Sequence, residues 1–232
     1  MSRKMAVRLL ALLLAFCILL SLCGCSRETV ELGDIPEYSG TPYVEINGNV
    51  PFFTSRELKM RDFEEYSELD PLGRCGVAFA CICPATMPTE ERESIANITP
   101  TGWKFMGMSN NNTYDFIENG YLYNRCHLIA HRLAGENDNE RNLITGTRYM
   151  NIEGMLPFEA MVSEYVAATG GHVLYRVTPI FEKFNYVAAG VLMEAYSLDD
   201  GGEAICFCIF AYNLQPGVAI NYFTGANYAA QN

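Results

Sequence analysis

Apolar and polar residues follow three different rhythms along the chain. From Leu9 to Leu22 the chain is apolar except for Ser21, and the run follows Arg3, Lys4 and Arg8. That is the basic and apolar order of a secretion signal, and the run is short for a membrane span. Residues 26–40 are polar, with Gly33, Pro36 and Gly40, and are expected to tether this leader to one domain over residues 41–232. Within the domain, Tyr43-Val44-Glu45-Ile46, then Asn47-Gly48, then Asn49 to Phe53 read as a β-hairpin, since Asn-Gly suits a type I′ turn. The charged, mixed stretch 55–73 reads as a helix or an ordered loop, and Gly76 to Cys83 as a buried strand. Pro84 to Asn119 is rich in Pro, Thr, Asn and Gly and holds the single tryptophan, Trp103. Phe158, Met161, Val162, Tyr165 and Val166 recur at helical spacing, with Pro157 suited to the first helical position and Gly170 to the end. Val173–Val177, Val187–Ala195 and Ile205–Asn213 alternate or run apolar between turn-rich segments, which predicts an antiparallel meander. No repeat is visible, and one α+β domain is the simplest architecture.

Composition changes this picture little. Half of the 232 residues are apolar and 12% are aromatic, enough for a sizeable core and against wholesale disorder. Charge matters more. The net charge is -11, and the leader over residues 1–25 carries three positive and no negative charges, so its removal gives -11 - 3 = -14. An acidic protein repels nucleic acid at long range unless basic residues cluster locally. Arg125, Arg132, Arg141 and Arg148 form such a cluster in sequence, so any binding to such a polymer should be weak and strongly salt-dependent.

The cysteines divide by position. The leader ends in Leu22-Cys23-Gly24-Cys25, which resembles a bacterial lipobox with Cys25 as the acylated residue; the alternative is a cleaved signal without lipid. The expectation is therefore an exported protein, lipid-anchored on the extracytoplasmic face of the cell membrane. Setting aside Cys17, Cys23 and Cys25 leaves six of nine: Cys75, Cys81, Cys83, Cys126, Cys206 and Cys208. Cys81/Cys83 and Cys206/Cys208 are spaced i, i+2 in strand-like runs, which is awkward for bonding within a pair, so buried free thiols are expected. A zinc site from four of them lacks the usual two-residue spacer.

Candidate chemistry concentrates in Tyr123-Asn124-Arg125-Cys126-His127-Leu128 and in Asn142 through Asn151. A neutral imidazole at His127, near its reference pKa of ~6.5, can take a proton from water, although a lone histidine is more often structural. His131 creates a His-x-x-x-His spacing, but Leu128 stands where a zinc protease needs Glu. Asn151 offers a neutral oxygen of the kind Mg2+ accepts beside water; a solvated helical amide is the ordinary alternative. Asn142 would ordinarily be a capping or turn residue, and Arg125 and Arg148 can grip phosphate or pair with carboxylates. Together these residues supply the base, the cation ligand and the phosphate grip that phosphodiester hydrolysis needs.

The Asn124-Arg125-Cys126-His127 segment resembles the Asp-Arg-Gly-His motif of DNA/RNA non-specific endonucleases, the ββα-metal nucleases, in their streptodornase-like branch. Pro100-Thr101-Gly102-Trp103, the run from Thr145 to Asn151 and Gly154-Met155-Leu156-Pro157-Phe158-Glu159 resemble it too, and the likeness extends from about Ile35 to the C-terminus. The resemblance implies a ββα-metal core with an antiparallel sheet flanked by helices. It implies that His127 is the general base and Asn151 the direct metal ligand, with Glu159 holding metal-bound water. Asn142 would orient the site, and Arg125 and Arg148 would contact phosphate. Mg2+, with Mn2+ as the second candidate, would be the cofactor, and DNA, with RNA second, the substrate, cut to 5′-phosphate and 3′-hydroxyl ends; no obligate protein partner is implied. A solvated helix face is the plain alternative for Glu159, and Pro157 is a candidate kink between it and Asn151. Two positions depart from the pattern. Asn124 replaces an aspartate near the metal's water shell, and Cys126 replaces a glycine, so the backbone there should not need positive φ. An alternative function is a catalytically impaired, nucleic-acid-binding surface lipoprotein of the same fold.

Overall fold

The computed structural model describes residues 30–230; the expected leader and Cys25 lie outside them. Twelve strands are described: β1 (Tyr43–Glu45), β2 (Glu64–Tyr66), β3 (Ala78–Ile82), β4 (Lys104–Phe105), β5 (Met108–Ser109), β6 (Tyr123–His127), β7 (Leu143–Thr147), β8 (Val173–Ile180), β9 (Gly190–Ser197), β10 (Cys206–Tyr212), β11 (Val218–Ile220) and β12 (Asn227–Ala229). Six form one antiparallel sheet in the order β1-β10-β9-β8-β3-β2, with the predicted meander β8–β9–β10 at its centre. The fold is α+β.

These central strands run apolar, without clean alternation, because both faces of the sheet are covered. On one face Tyr175, Val177, Val191, Met193 and Ile209 pack with Phe158, Val162 and Val166 of the helix Leu156–Thr169. On the other, Leu192, Cys208 and Phe210 meet Ile46 and Phe52, while Phe79 and Leu174 meet Phe53, Leu58 and Phe63. Burial of a Leu- or Phe-sized side chain contributes about 1.5–3 kcal/mol, so both layers hold the sheet. The second layer also contains a charge cluster. Arg176 on β8 donates to Glu194 on β9 through Nε (2.6 Å) and Nη2 (2.7 Å), and its Nη1 reaches Glu57 (2.8 Å).

A separate ribbon, β6 paired with β7, leads into a wide π-type turn, Met150–Met155, and then directly into the long helix. Asn213 joins this ββα unit to the sheet. Its Oδ1 accepts from the Thr147 amide (2.8 Å), and its Nδ2 donates to the carbonyls of Thr145 and Ala188 (both 3.0 Å).

Several sequence expectations need correction. Asn47-Gly48 does turn, with Asn47, Gly48 and Asn49 all at positive φ, but it closes no hairpin. β1 pairs instead with β10, and Asn49 accepts from the Cys208 amide, so the non-local sheet takes the hydrogen bonds. Residues 55–73 hold one 3-10 turn, Glu57–Lys59, and the edge strand β2, which the charge pattern concealed. Met161 is 45% exposed, whereas Glu159 is buried: the apolar stripe of the helix is rotated toward Glu159. The solvated-face alternative for Glu159 therefore fails. All six domain cysteines are free, as expected, but Cys206 is exposed, because it opens β10 at the sheet margin. Among the described residues, no helix is long and apolar enough to cross a membrane.

Candidate active site

The ββα unit borders a cleft of about 610 Å³. Of the six site residues expected from the sequence, His127, Arg125, Arg148, Asn151 and Glu159 line it, together with Asn124. Asn142 does not. It is fully buried, where its Oδ1 accepts from the Ile129 amide (2.8 Å) and its Nδ2 donates to the Ile129 carbonyl (2.9 Å). Its own carbonyl accepts from the Leu128 amide (2.8 Å). This amide clamps the backbone just past His127, so it can position the imidazole without touching anything in the cleft.

His127 ends β6 and is buried. Its Nε2 lies 2.7 Å from the Asn137 carbonyl oxygen. A carbonyl only accepts, so Nε2 carries the proton and the basic lone pair is on Nδ1. Burial pushes the imidazole pKa down to about 4; the Asn137 bond opposes this, and the charges of Arg92 and His131 reinforce it. At neutral pH the ring is therefore neutral, with its proton on Nε2 and Nδ1 open as a base.

The arginines fall into distinct roles. Arg125 donates through Nε to the Ile98 carbonyl (2.6 Å) and through Nη2 to the Ala96 carbonyl (3.1 Å), and stacks over Trp103 at 4.2 Å. It thereby latches the 84–99 segment beside the site. Arg148 pairs with Glu118 at 2.5 Å, but Glu118 is 78% exposed, and such surface pairs contribute only ~0–1 kcal/mol. An incoming phosphate can displace it. Arg92 and Arg132 also line the cleft, whereas Arg141 pairs with Glu68 outside it.

Asn151 sits in the π-type turn, where the Leu156 N–H bonds back to the Asn151 carbonyl. Such wide turns often occur at functional sites because they re-aim side chains. Pro157 occupies the first turn of the helix and introduces no break there. Glu159 is 6% exposed, and no side chain or amide among the described residues donates to its carboxylate. Burial pushes its pKa up to about 7, against the opposing charges of Arg132 and Arg92. Near it the Tyr175 hydroxyl, which feels the Glu159 charge, is buried without a hydrogen-bond partner. An amide oxygen and a carboxylate without a protein donor, both lining one cleft, fit a hard divalent cation with its waters.

Some cleft residues were not assigned a role from sequence. Arg92 is hidden in the acidic run Glu90-Glu91-Arg92-Glu93, Arg132 was only one of a local cluster, and His131 lines the cleft without a motif of its own. Trp103 gave a usable signal as the single tryptophan. Cys126 is buried, does not line the cleft, and is not among the positive-φ residues, in keeping with a side chain where the motif has glycine. Across the ribbon, a Cβ added at Gly146 would overlap Cys126 Sγ and stand 2.6 Å from Met150 Cε. The thiol fills the space that the missing side chain leaves.

A family model described as DNA/RNA non-specific endonuclease matches residues 55–198. Among solved structures, the chain is similar to NucA from Streptococcus agalactiae with magnesium ion bound. The TM-score is 0.71 at 23% identity, covering 86% of this chain and 94% of that one. It is also similar to the Sda1 nuclease with bound zinc ion, with a TM-score of 0.65 at 28% identity, covering 73% and 82%. No curated protein matches.

Proposed function

The chain belongs to the DNA/RNA non-specific endonuclease family and is a nucleic-acid hydrolase, and from that premise we propose a metal-dependent endonuclease mechanism centred on His127. The observation that carries it is the shared cleft: a base fixed in one tautomer faces the same space as Asn151 and Glu159. His127 Nδ1 accepts a proton from a water that attacks phosphorus in line, while the Asn137 carbonyl steadies the Nε2–H. Arg148, Arg92 and Arg132 draw the phosphodiester in and hold its non-bridging oxygens. Arg125, with Asn142, keeps the surrounding backbone in place.

Asn151 and Glu159 would hold the cation, Glu159 through water. When bound, it offsets the negative charge that builds on the phosphoryl group and the departing 3′ oxygen. The magnesium of NucA and the zinc of Sda1 support metal dependence in this fold, and the oxygen donors here favour Mg2+ or Mn2+. DNA is the primary substrate in this reading and RNA the second. Export with a lipid on Cys25 completes it, supported by the lipobox-like Leu22-Cys23-Gly24-Cys25; Cys25→Ser should move the protein out of the membrane fraction.

The test is nicking of supercoiled plasmid by the purified protein with chelator, Mg2+, Mn2+ or Zn2+. The expected result is cleavage that chelator stops and Mg2+ or Mn2+ restores. Binding of DNA without cleavage under every metal would sink the reading. It would favour the impaired-binding alternative, for which Asn124 in the cleft is the motivating observation.

A further inference from the structure

Away from the cleft, side chains with metal-ligand chemistry converge at one end of the central sheet. β3 and β8 pair with Ile82 opposite Val173. One step further, that register sets Cys83 beside His172, and Asp62 leads into the neighbouring edge strand β2. One ligand atom from each of Asp62, Cys83 and His172 lies within 4.8 Å of the other two. None of the three lines the active-site cleft.

Two further observations point to a ligand. Cys83 is only 4% exposed, and among the described residues its thiol has no hydrogen-bond partner, although its sulfur is aimed into the cluster. His172 is already oriented. Asp199 Oδ2 lies 2.9 Å from its Nδ1 and accepts from its backbone amide at 2.7 Å. A carboxylate on Nδ1 leaves Nε2 free, which is how carboxylates set up metal-ligating histidines.

We propose that Asp62, Cys83 and His172 form a second metal site, for a zinc-class divalent cation, with Asp199 as the residue that positions His172. The donor set argues for the class of ion. One thiol, one imidazole and one carboxylate suit borderline-soft Zn2+ or Co2+, whereas the cleft offers hard oxygen donors. Zinc bonds of about 2.0–2.3 Å put ligand atoms roughly 3.3–3.8 Å apart. Separations within 4.8 Å leave at most a small contraction to reach that spacing, and Asp62, exposed on its loop, is the ligand best placed to supply it. Water fills the fourth position. A bound ion would clip the three-residue edge strand β2 to the ends of β3 and β8.

The test uses the whole protein, stripped of metal and titrated with Co2+. One equivalent should give thiolate-to-cobalt charge-transfer absorption, a signature the cysteine-free lining of the cleft does not provide. Cys83→Ser should abolish that band and leave Mg2+-dependent nicking unchanged. Asp199→Asn should weaken cobalt binding about 10–100-fold, and Cys206→Ser, removing the exposed thiol, should change nothing. Absence of the band in the parent protein, or its survival in Cys83→Ser, would overturn the proposal. Should Cys83→Ser not fold, Asp62→Asn on the exposed loop decides: weaker cobalt binding supports the site, and unchanged affinity overturns it.

Discussion

Two buried glutamates lie on opposite sides of the same sheet, and their surroundings could hardly differ more. Glu194 is fully partnered, with two bonds from Arg176, and the Phe52 amide donates to it at 2.8 Å. Arg176 is in turn stacked over Phe53 at 4.6 Å and tied to Glu57. Glu159 is nearly as buried, yet among the described residues nothing donates to it. Burial without a partner is costly for a charged group, and a fold tolerates it where something outside the chain completes the site. The first carboxylate serves the fold; the second is the one that the proposed mechanism gives to the cation.

The largest effect expected belongs to the cleft. His127→Ala should slow plasmid nicking by at least ~10²–10⁴, the usual contribution of a general base, while the variant stays folded by circular dichroism. Near-normal cleavage would remove His127 from the mechanism. Glu194→Ala should do the reverse. It strands the Arg176 charge in the interior, so unfolding in urea should show a loss of about 3–5 kcal/mol, with metal-activated cleavage retained by the folded fraction. A negligible loss would erase the contrast between the two sites.

Glu159→Gln sharpens the comparison from the other side. The substitution removes an ionisable group whose charged form the fold disfavours. At pH 8 the metal-free variant should therefore be more stable than the parent, by roughly 1–3 kcal/mol, and should respond less to Mg2+ in nicking assays. Lower stability would mean that the carboxylate has a structural partner after all.

The smallest effect is in the pH dependence of the metal-free protein. Glu159 is raised from 4.5 to about 7, so the fold keeps a proton there that the unfolded chain has lost. Its contribution is complete below 4.5 and gone once pH has risen through 7. His127 is lowered from 6.5 to about 4, so its contribution is complete above 6.5 and lost as pH falls through 4. Between 4.5 and 6.5 the two slopes oppose. The Tm difference, Glu159→Gln minus parent, should widen steadily from pH 4.5 to 7. A constant difference would refute the assigned shift.

The sequence made the central sheet legible because β8, β9 and β10 are long and buried on both faces, which leaves strong apolar runs. The helix was legible from Pro157, Gly170 and its periodicity, although not the tilt of its buried face: Glu159 sits inside the stripe and Met161 outside it. Short edge elements were not legible. β2 has three residues, two of them glutamates, and pairs with a strand distant from any local turn signal. His127, Asn151 and the flanking arginines came from motif resemblance, which spacing alone would not have supplied. Arg92 could not be found that way, because long-range contacts such as the Arg125 latch on Ala96 and Ile98 and the Asn97–Asp138 bond bring its aperiodic segment to the cleft.

The fit of Cys126 over Gly146 has a historical consequence. Within this ribbon, a lineage moving from glycine to cysteine at 126 needs a bare α-carbon at 146 beforehand, and once the thiol is in place any side chain at 146 collides with it. The two positions are thus coupled: position 146 must stay bare for as long as the thiol stands opposite it.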